Sequence, residues 1–219
     1  MRKKSASKPV QSVHREEISE ADKFGLERLV FFSDAVFAIA ITLLALEIRL
    51  PEIEGPLTDA KLLQALQSIG PQYLAFMLSF LVIGVFWIGH HRRYRFIERY
   101  DSVLLFLNLL LLMIVAFIPF PTAIISDYGN LVGTIFYALT MVAAGLVSLA
   151  IWGYAASHHR LIDPHMSAHQ IRRETILLLT TPIIFSFSMG VAFINTDAAK
   201  FTWILVAFTR LLLPRPDDD

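Results

Sequence analysis

Residues 28–48 read Arg28-Leu29-Val30-Phe31-Phe32-Ser33-Asp34 and continue AVFAIAITLLALEI to Ile48. The stretch is apolar and about as long as a membrane-spanning helix, which needs roughly 20 residues, yet it carries an acid near its start. An Asp at the centre of such a helix costs ~2.5–3.5 kcal/mol and less towards the ends, and it faces a bundle interior or a water path where it has a partner. Arg28 is badly placed for that role, because six positions at ~100° each put it about 240° around the helix from Asp34. Asp34 is expected to find its partner on another helix.

The rest of the chain supplies the other helices. Of 219 residues, 55% are hydrophobic and 17% charged, against about 45–50% and 25% in soluble domains. The excess is arranged in runs at 29–46, 73–88, 103–120, 131–156, 176–194 and 198–213. Runs this continuous are helices, since barrel strands alternate over about ten residues. Pro119, Pro121 and Pro182 do not exclude them, as neighbouring helices can satisfy the carbonyls that proline frees. Six spans of roughly 20 residues leave only short loops, so one all-α membrane domain is expected at 23–213, between tails at 1–22 and 214–219. The first tail is polar, mobile at its start, and has no signal-peptide core.

Lys and Arg set the orientation. Arg2, Lys3, Lys4, Lys8, Arg15 and Lys23 precede the first run; Arg92, Arg93, Arg95 and Arg99 follow the second; Arg160, Arg172 and Arg173 follow the fourth. Arg49, Lys61 and Lys200 fall on the other side. Both termini are thereby assigned to the cytoplasm, as an even number of spans requires. The longest outer loop, 49–69, carries Glu52, Glu54 and Asp59, either as a solvated loop or as a cation-attracting mouth. With 19 basic and 19 acidic residues the net charge is zero, and nothing suggests nucleic acid as a partner.

Trp87-Ile88-Gly89-His90-His91-Arg92-Arg93 closes the second run at the level of Asp34, and Asn108 lies one to two turns into the third. A network joining Ser33, Asp34, Trp87, His90 and Asn108 is expected, because hydrocarbon satisfies none of their polar atoms. It serves either as fold-specifying packing or as part of a conduction path. Ile39, Thr42 and Leu46 share one face of the first helix, a pattern that by spacing alone reads as packing.

Other chemistries lack support. There is no cysteine, hence no thiolate nucleophile or disulfide. His158, His159, His165 and His169 with Asp163 sit in one loop, but Pro164 breaks the alignment that a metal site would need, so no metal is assigned. No serine stands in a nucleophile elbow and no phosphate-binding glycine loop occurs. No catalytic residue and no cofactor are assigned.

The Arg-x-x-x-Phe-Ser-Asp signature at Arg28, Phe32, Ser33 and Asp34 resembles that of the transmembrane protein 175 family of potassium channels. The FAIAITLLALEI continuation, Trp87-x-x-His90, Asn108 and Pro119-Phe120-Pro121-Thr122 are also similar to that family. The resemblance implies a prokaryotic, multi-pass cell-membrane protein with one six-helix repeat per chain. It implies a homotetramer around a central pore lined by the first helices, without a TVGYG filter. Carried over by position, Ile39 and Leu46 would form hydrophobic constrictions and Thr42 a hydroxyl ring, giving modestly selective conduction of potassium and other monovalent cations. Arg28, Ser33 and Asp34 would hold the first helix in register against the second and third. Two other classes remain open at the level of sequence: a secondary transporter or proton pathway relaying through Asp34 and His90, and a membrane enzyme at His158 and His159.

Overall fold

The computed structural model describes the backbone of residues 10–206 and the side chains of Glu20 and residues 22–206. Among these residues the regular elements are helices, eight α-helices and two short 3-10 helices at Leu44–Glu47 and Ser157–His159. The α-helices are α1 (Val10–Leu43), α2 (Asp59–Ser68), α3 (Gly70–Tyr94), α4 (Ser102–Phe117), α5 (Pro119–Tyr128), α6 (Leu131–Ala156), α7 (Ala168–Ala192) and α8 (Thr196–Thr202). Five stretches are long and apolar enough to cross a membrane: Asp22–Glu47, Gly70–Tyr94, Ser102–Tyr128, Leu131–His159 and Ala168–Ala192. The protein is a multi-pass membrane protein. Of the expected sixth run, 198–213, α8, the turn at Trp203 and a resumed helix at 204–206 are seen, and the remainder lies outside the described residues.

Side-chain caps mark the helix starts, where backbone N–H groups lack partners. Asp101 accepts from Leu104 N at 2.9 Å and Asn130 from Gly133 N at 2.9 Å. Ser167 and Gln170 form a reciprocal capping box on α7, and Asn195 accepts from the Asp197 and Ala198 amides of α8. At the end of α5, Gly129 takes the left-handed conformation with φ 53°, which costs a glycine nothing.

Three expectations needed revision. Helix α1 begins at Val10 rather than near Arg28, so the second half of the polar tail is helical and continuous with the first span. The loop at 49–69 contains α2, capped by Thr58. The third run does not end at 120: it breaks at Ile118 and resumes as α5 to Tyr128. Pro119 has no N–H to donate to Val115, whose carbonyl accepts from Ile118 N at 3.1 Å instead. The Ile118 carbonyl then accepts from both the Thr122 amide at 3.1 Å and Thr122 Oγ1 at 2.9 Å, which ties the two helices across the break.

Helix α1 packs on α3 and α4, while α6 packs on α7, α4 and α5. Pro182 lies inside α7 and rests on Gly145 of α6, where a Cβ would come within 2.8 Å of the proline Cδ. At the α3 and α6 ends, a β-bridge pairs Ile97 with Ile162 and ties the two connecting loops together.

Candidate functional site

Helix α1 has two faces of different fate. Leu29, Ser33, Phe37 and Ala40 are buried against α3 and α4, and Leu44, in the 3-10 turn Leu44–Glu47 that continues the helix, against α3 and α5. Around the helix, Arg28, Phe32, Ala35, Ile39, Thr42 and Leu46 are all exposed, at alternating spacings of four and three. Ile39 is 57% and Leu46 65% exposed, so the Ile39–Thr42–Leu46 stripe is not packing within the chain. Thr42 Oγ1 donates to the Ile39 carbonyl at 2.9 Å. That bond uses the hydroxyl proton and leaves its oxygen lone pairs on the exposed face.

The buried face holds the polar anchors. Ser33 Oγ donates to Leu29 O at 2.8 Å and accepts from Asn108 Nδ2 of α4 at 3.0 Å. The other side of that amide, Asn108 Oδ1, lies 2.9 Å from His90 Nε2 and accepts from the Tyr94 hydroxyl at 3.0 Å. Because Oδ1 can only accept, His90 Nε2 carries the proton in this arrangement, and the buried Nδ1 has no partner among the described residues. The imidazole stacks on Tyr94 with ring centres 4.2 Å apart and meets Phe37 of α1 at 5.6 Å. Ser33, Asn108, His90 and Tyr94 thus join α1, α3 and α4 in one fully enclosed chain of bonds.

Asp34 belongs to a second connection, in which Trp87 Nε1 donates to its Oδ1 at 2.8 Å. Trp87 is 39% exposed, so this bond lies at the margin of the bundle. Asp34 and His90 are not hydrogen-bonded to one another. Arg28 stays outside both connections, with its guanidinium 5.9 Å from the centre of the Phe24 ring, and Phe32 is exposed beside it.

Sequence reasoning missed three polar groups. Tyr94 closes the network one turn beyond His90; its four-residue offset was the available signal, hidden because a Tyr at the end of an apolar run reads as an interface residue. Glu174 lay just before the fifth run but is buried, with Arg92 Nη2 of α3 donating to its Oε2 at 2.9 Å. Ser79, Thr122 and Tyr137 form a third cluster, with Thr122 Oγ1 and Ser79 Oγ 2.8 Å apart and Tyr137 Oη 3.0 Å from Ser79 Oγ.

The loop histidines are dispersed in their contacts. His158 Nδ1 meets Ser157 Oγ and His159 Nε2 the Met166 carbonyl, and both backbones are left-handed, at φ 53° and 51°. No three His, Asp or Glu side chains are grouped to hold a metal among the described residues.

Residues 28–119, which contain the α1 signature and its α3 and α4 partners, match the family model described as the endosomal/lysosomal potassium channel TMEM175. A potassium channel of Streptomyces collinus is 39% identical over 173 residues, covering 77% of this chain and 82% of the relative. The chain belongs to the TMEM175 family of potassium channels. A potassium channel of Chamaesiphon minutus is 37% identical over 172 residues, which is 77% of this chain and 84% of that one. The crystal structure of a lysosomal potassium-selective channel TMEM175 homolog from Chamaesiphon minutus superposes with a TM-score of 0.75 at 33% identity, over 86% of this chain and 97% of the homolog. TMEM175 proteins are channels and not enzymes, and the bacterial relatives point to a prokaryotic source.

Proposed function

We propose that the chain is one protomer of a passive potassium channel, assembled as a homotetramer in a prokaryotic cell membrane with α1 lining the pore. The observation that carries this reading is the exposed seam of α1. Arg28, Phe32, Ala35, Ile39, Thr42 and Leu46 alternate by four and three, the 3.5-residue period on which identical helices wrap around one another. The seam is apolar beyond Arg28 except at Thr42, and it faces away from the protomer's own bundle.

Four copies of Ile39 and of Leu46 form two rings ~12 Å apart along the axis, at ~1.5 Å per residue to the end of α1 and ~2.0 Å in the 3-10 turn Leu44–Glu47 that carries Leu46. A narrow apolar ring denies an ion its hydration water and closes the path by dewetting. Between them, the Thr42 oxygens replace part of that hydration and favour potassium modestly over sodium. The Ser33–Asn108–His90–Tyr94 chain and the Asp34–Trp87 bond set the rotation of α1 that turns this seam to the axis. Both termini lie in the cytoplasm, the run at 198–213 supplying the sixth span.

Purified protein in liposomes tests the gate through Ile39→Asn, which replaces an apolar constriction by a polar one. Potassium flux should rise and selectivity should fall. Flux and selectivity equal to those of the unaltered protein would show that Ile39 does not form the constriction.

A further inference from the structure

A second feature lies at the other end of α3 from His90. A cavity of about 580 Å³ opens between α3, α5, α6 and α8, within the ~300–1,000 Å³ range of ligand sites. Its walls are apolar, including Leu74, Leu78, Ile125 and Trp203. At its floor, the hydroxyls of Ser79, Tyr137 and Thr122 bond in a row that ends on the Ile118 carbonyl, so the deep end asks for no polar ligand atom. From Gly70 at the mouth to Ser79 at the floor, nine helical residues give a depth of ~13 Å, close to the ~15 Å of hydrocarbon in one leaflet.

The mouth carries charge of both signs. Lys200 Nζ donates to Asp197 Oδ1 at 2.9 Å and to the Gly129 carbonyl at 3.3 Å. An ammonium has three donors, so these two bonds leave one. Asp127, exposed at the same mouth, meets only its neighbour Ser126 Oγ, at 3.3 Å, among the described residues. One cation with a spare donor beside an available carboxylate complements a headgroup that is itself a zwitterion.

We propose that this cavity holds a zwitterionic phospholipid with a primary ammonium headgroup. One acyl chain fills the space between Leu74, Leu78 and Trp203, the phosphate meets Lys200, and the ammonium donates to Asp127. An anionic lipid would set a second negative charge against Asp127 and Asp197. A quaternary headgroup has no N–H to donate to either carboxylate. The assignment rests on the membrane reading of the chain but is independent of ion conduction.

Native mass spectrometry of the purified protein, equilibrated with equal concentrations of phosphatidylethanolamine, phosphatidylcholine and phosphatidylglycerol of identical chains, tests it without any measurement of flux. Phosphatidylethanolamine should be retained about fivefold over each competitor, at one lipid per protomer. Asp127→Asn should reduce that preference over phosphatidylglycerol, and filling the cavity by Leu78→Trp or by Ala75→Phe should remove the bound lipid. Equal retention of the three lipids, or retention undiminished in a filled variant that keeps its native assembly, overturns the proposal. Loss of conduction with lipid binding intact would instead count against the pore reading.

Discussion

Asn108 Nδ2 donates to Ser33 Oγ at 3.0 Å, and through that one bond α4 fixes which way α1 is turned. Ser33 is committed on its other side to the Leu29 carbonyl, and the Asn108 oxygen is shared by His90 and Tyr94. Removing the amide strands three buried groups at once. Asn108→Leu should therefore destabilise the protein by several kcal/mol, at about 1–3 kcal/mol for each unsatisfied group. Ser33→Ala, which strands only the Asn108 N–H, should cost about 1–3 kcal/mol. Thermal unfolding in detergent gives both values, and an Asn108→Leu protein as stable as the Ser33→Ala one would contradict the shared network.

At the seam, Thr42→Val keeps the shape of the side chain and deletes its oxygen. The bi-ionic reversal potential between potassium and sodium should move towards zero while current persists, because the dewetting rings proposed at Ile39 and Leu46 are untouched. An unchanged reversal potential would remove Thr42 from the selectivity argument.

The Arg92–Glu174 pair joins α3 to α7, with the Glu174 side chain 3% exposed. Losing one member of a buried pair costs about 3–5 kcal/mol, whereas replacing both by apolar groups can be nearly neutral. Arg92 is partly exposed, so Arg92→Met should fall near the lower end of that range. Arg92→Met combined with Glu174→Leu should recover most of the loss. Denaturation midpoints of the two single variants and the double variant form the required cycle, and simple additivity would show that the pair is not coupled.

Asp101 supplies a pH-dependent contribution. Partial burial pushes its carboxyl up, but the Tyr154 hydroxyl, the Leu104 and Val103 amides and the Arg160 guanidinium together hold it below the usual carboxylate range. A carboxyl depressed in the folded state stabilises at pH values above its unfolded pKa of about 3.9, and this stabilisation is lost as pH falls through the folded value. The stability advantage of the native protein over Asp101→Ala, ~1 kcal/mol for the lost helix cap plus this term, should be full at pH 7 and shrink below pH ~4. A difference that stays constant across the acid range would leave only the uncharged part of the cap.

Much of this architecture was readable in the chain, and the gaps have physical causes. Asp34 announced a partner because carboxylates are costly in lipid, and the donor turned out to be the indole N–H of Trp87. Asn108 stood out for the same reason. Tyr94 and Glu174 did not, since an aromatic residue and an acid at the edges of apolar runs are normal where a helix meets water. Pro119 and Pro121 were legible as tolerated prolines, but that the helix would break and restart depends on Ile118 N turning to the Val115 carbonyl and Thr122 donating twice to the Ile118 carbonyl across the gap. The exposure of Ile39 and Leu46 cannot be deduced from spacing, because a packed stripe and a free one have the same period. Only the burial of Ser33, Phe37 and Leu44 on the opposite side distinguishes them.

Gly145 and Pro182 have a consequence for motion. With a proline ring seated where a side chain would be, α6 and α7 are keyed like a peg in a notch. A slide of one turn would set the bulk of Met141 or Leu149 against the ring in place of Gly145. The pair therefore behaves as a stator, and any rearrangement that widens the proposed conduction path has to be taken up by α1 and the helices that hold it. Gly145→Ala, which forces a methyl group against the ring at a cost of about 1–3 kcal/mol, would loosen the frame while leaving the moving part intact.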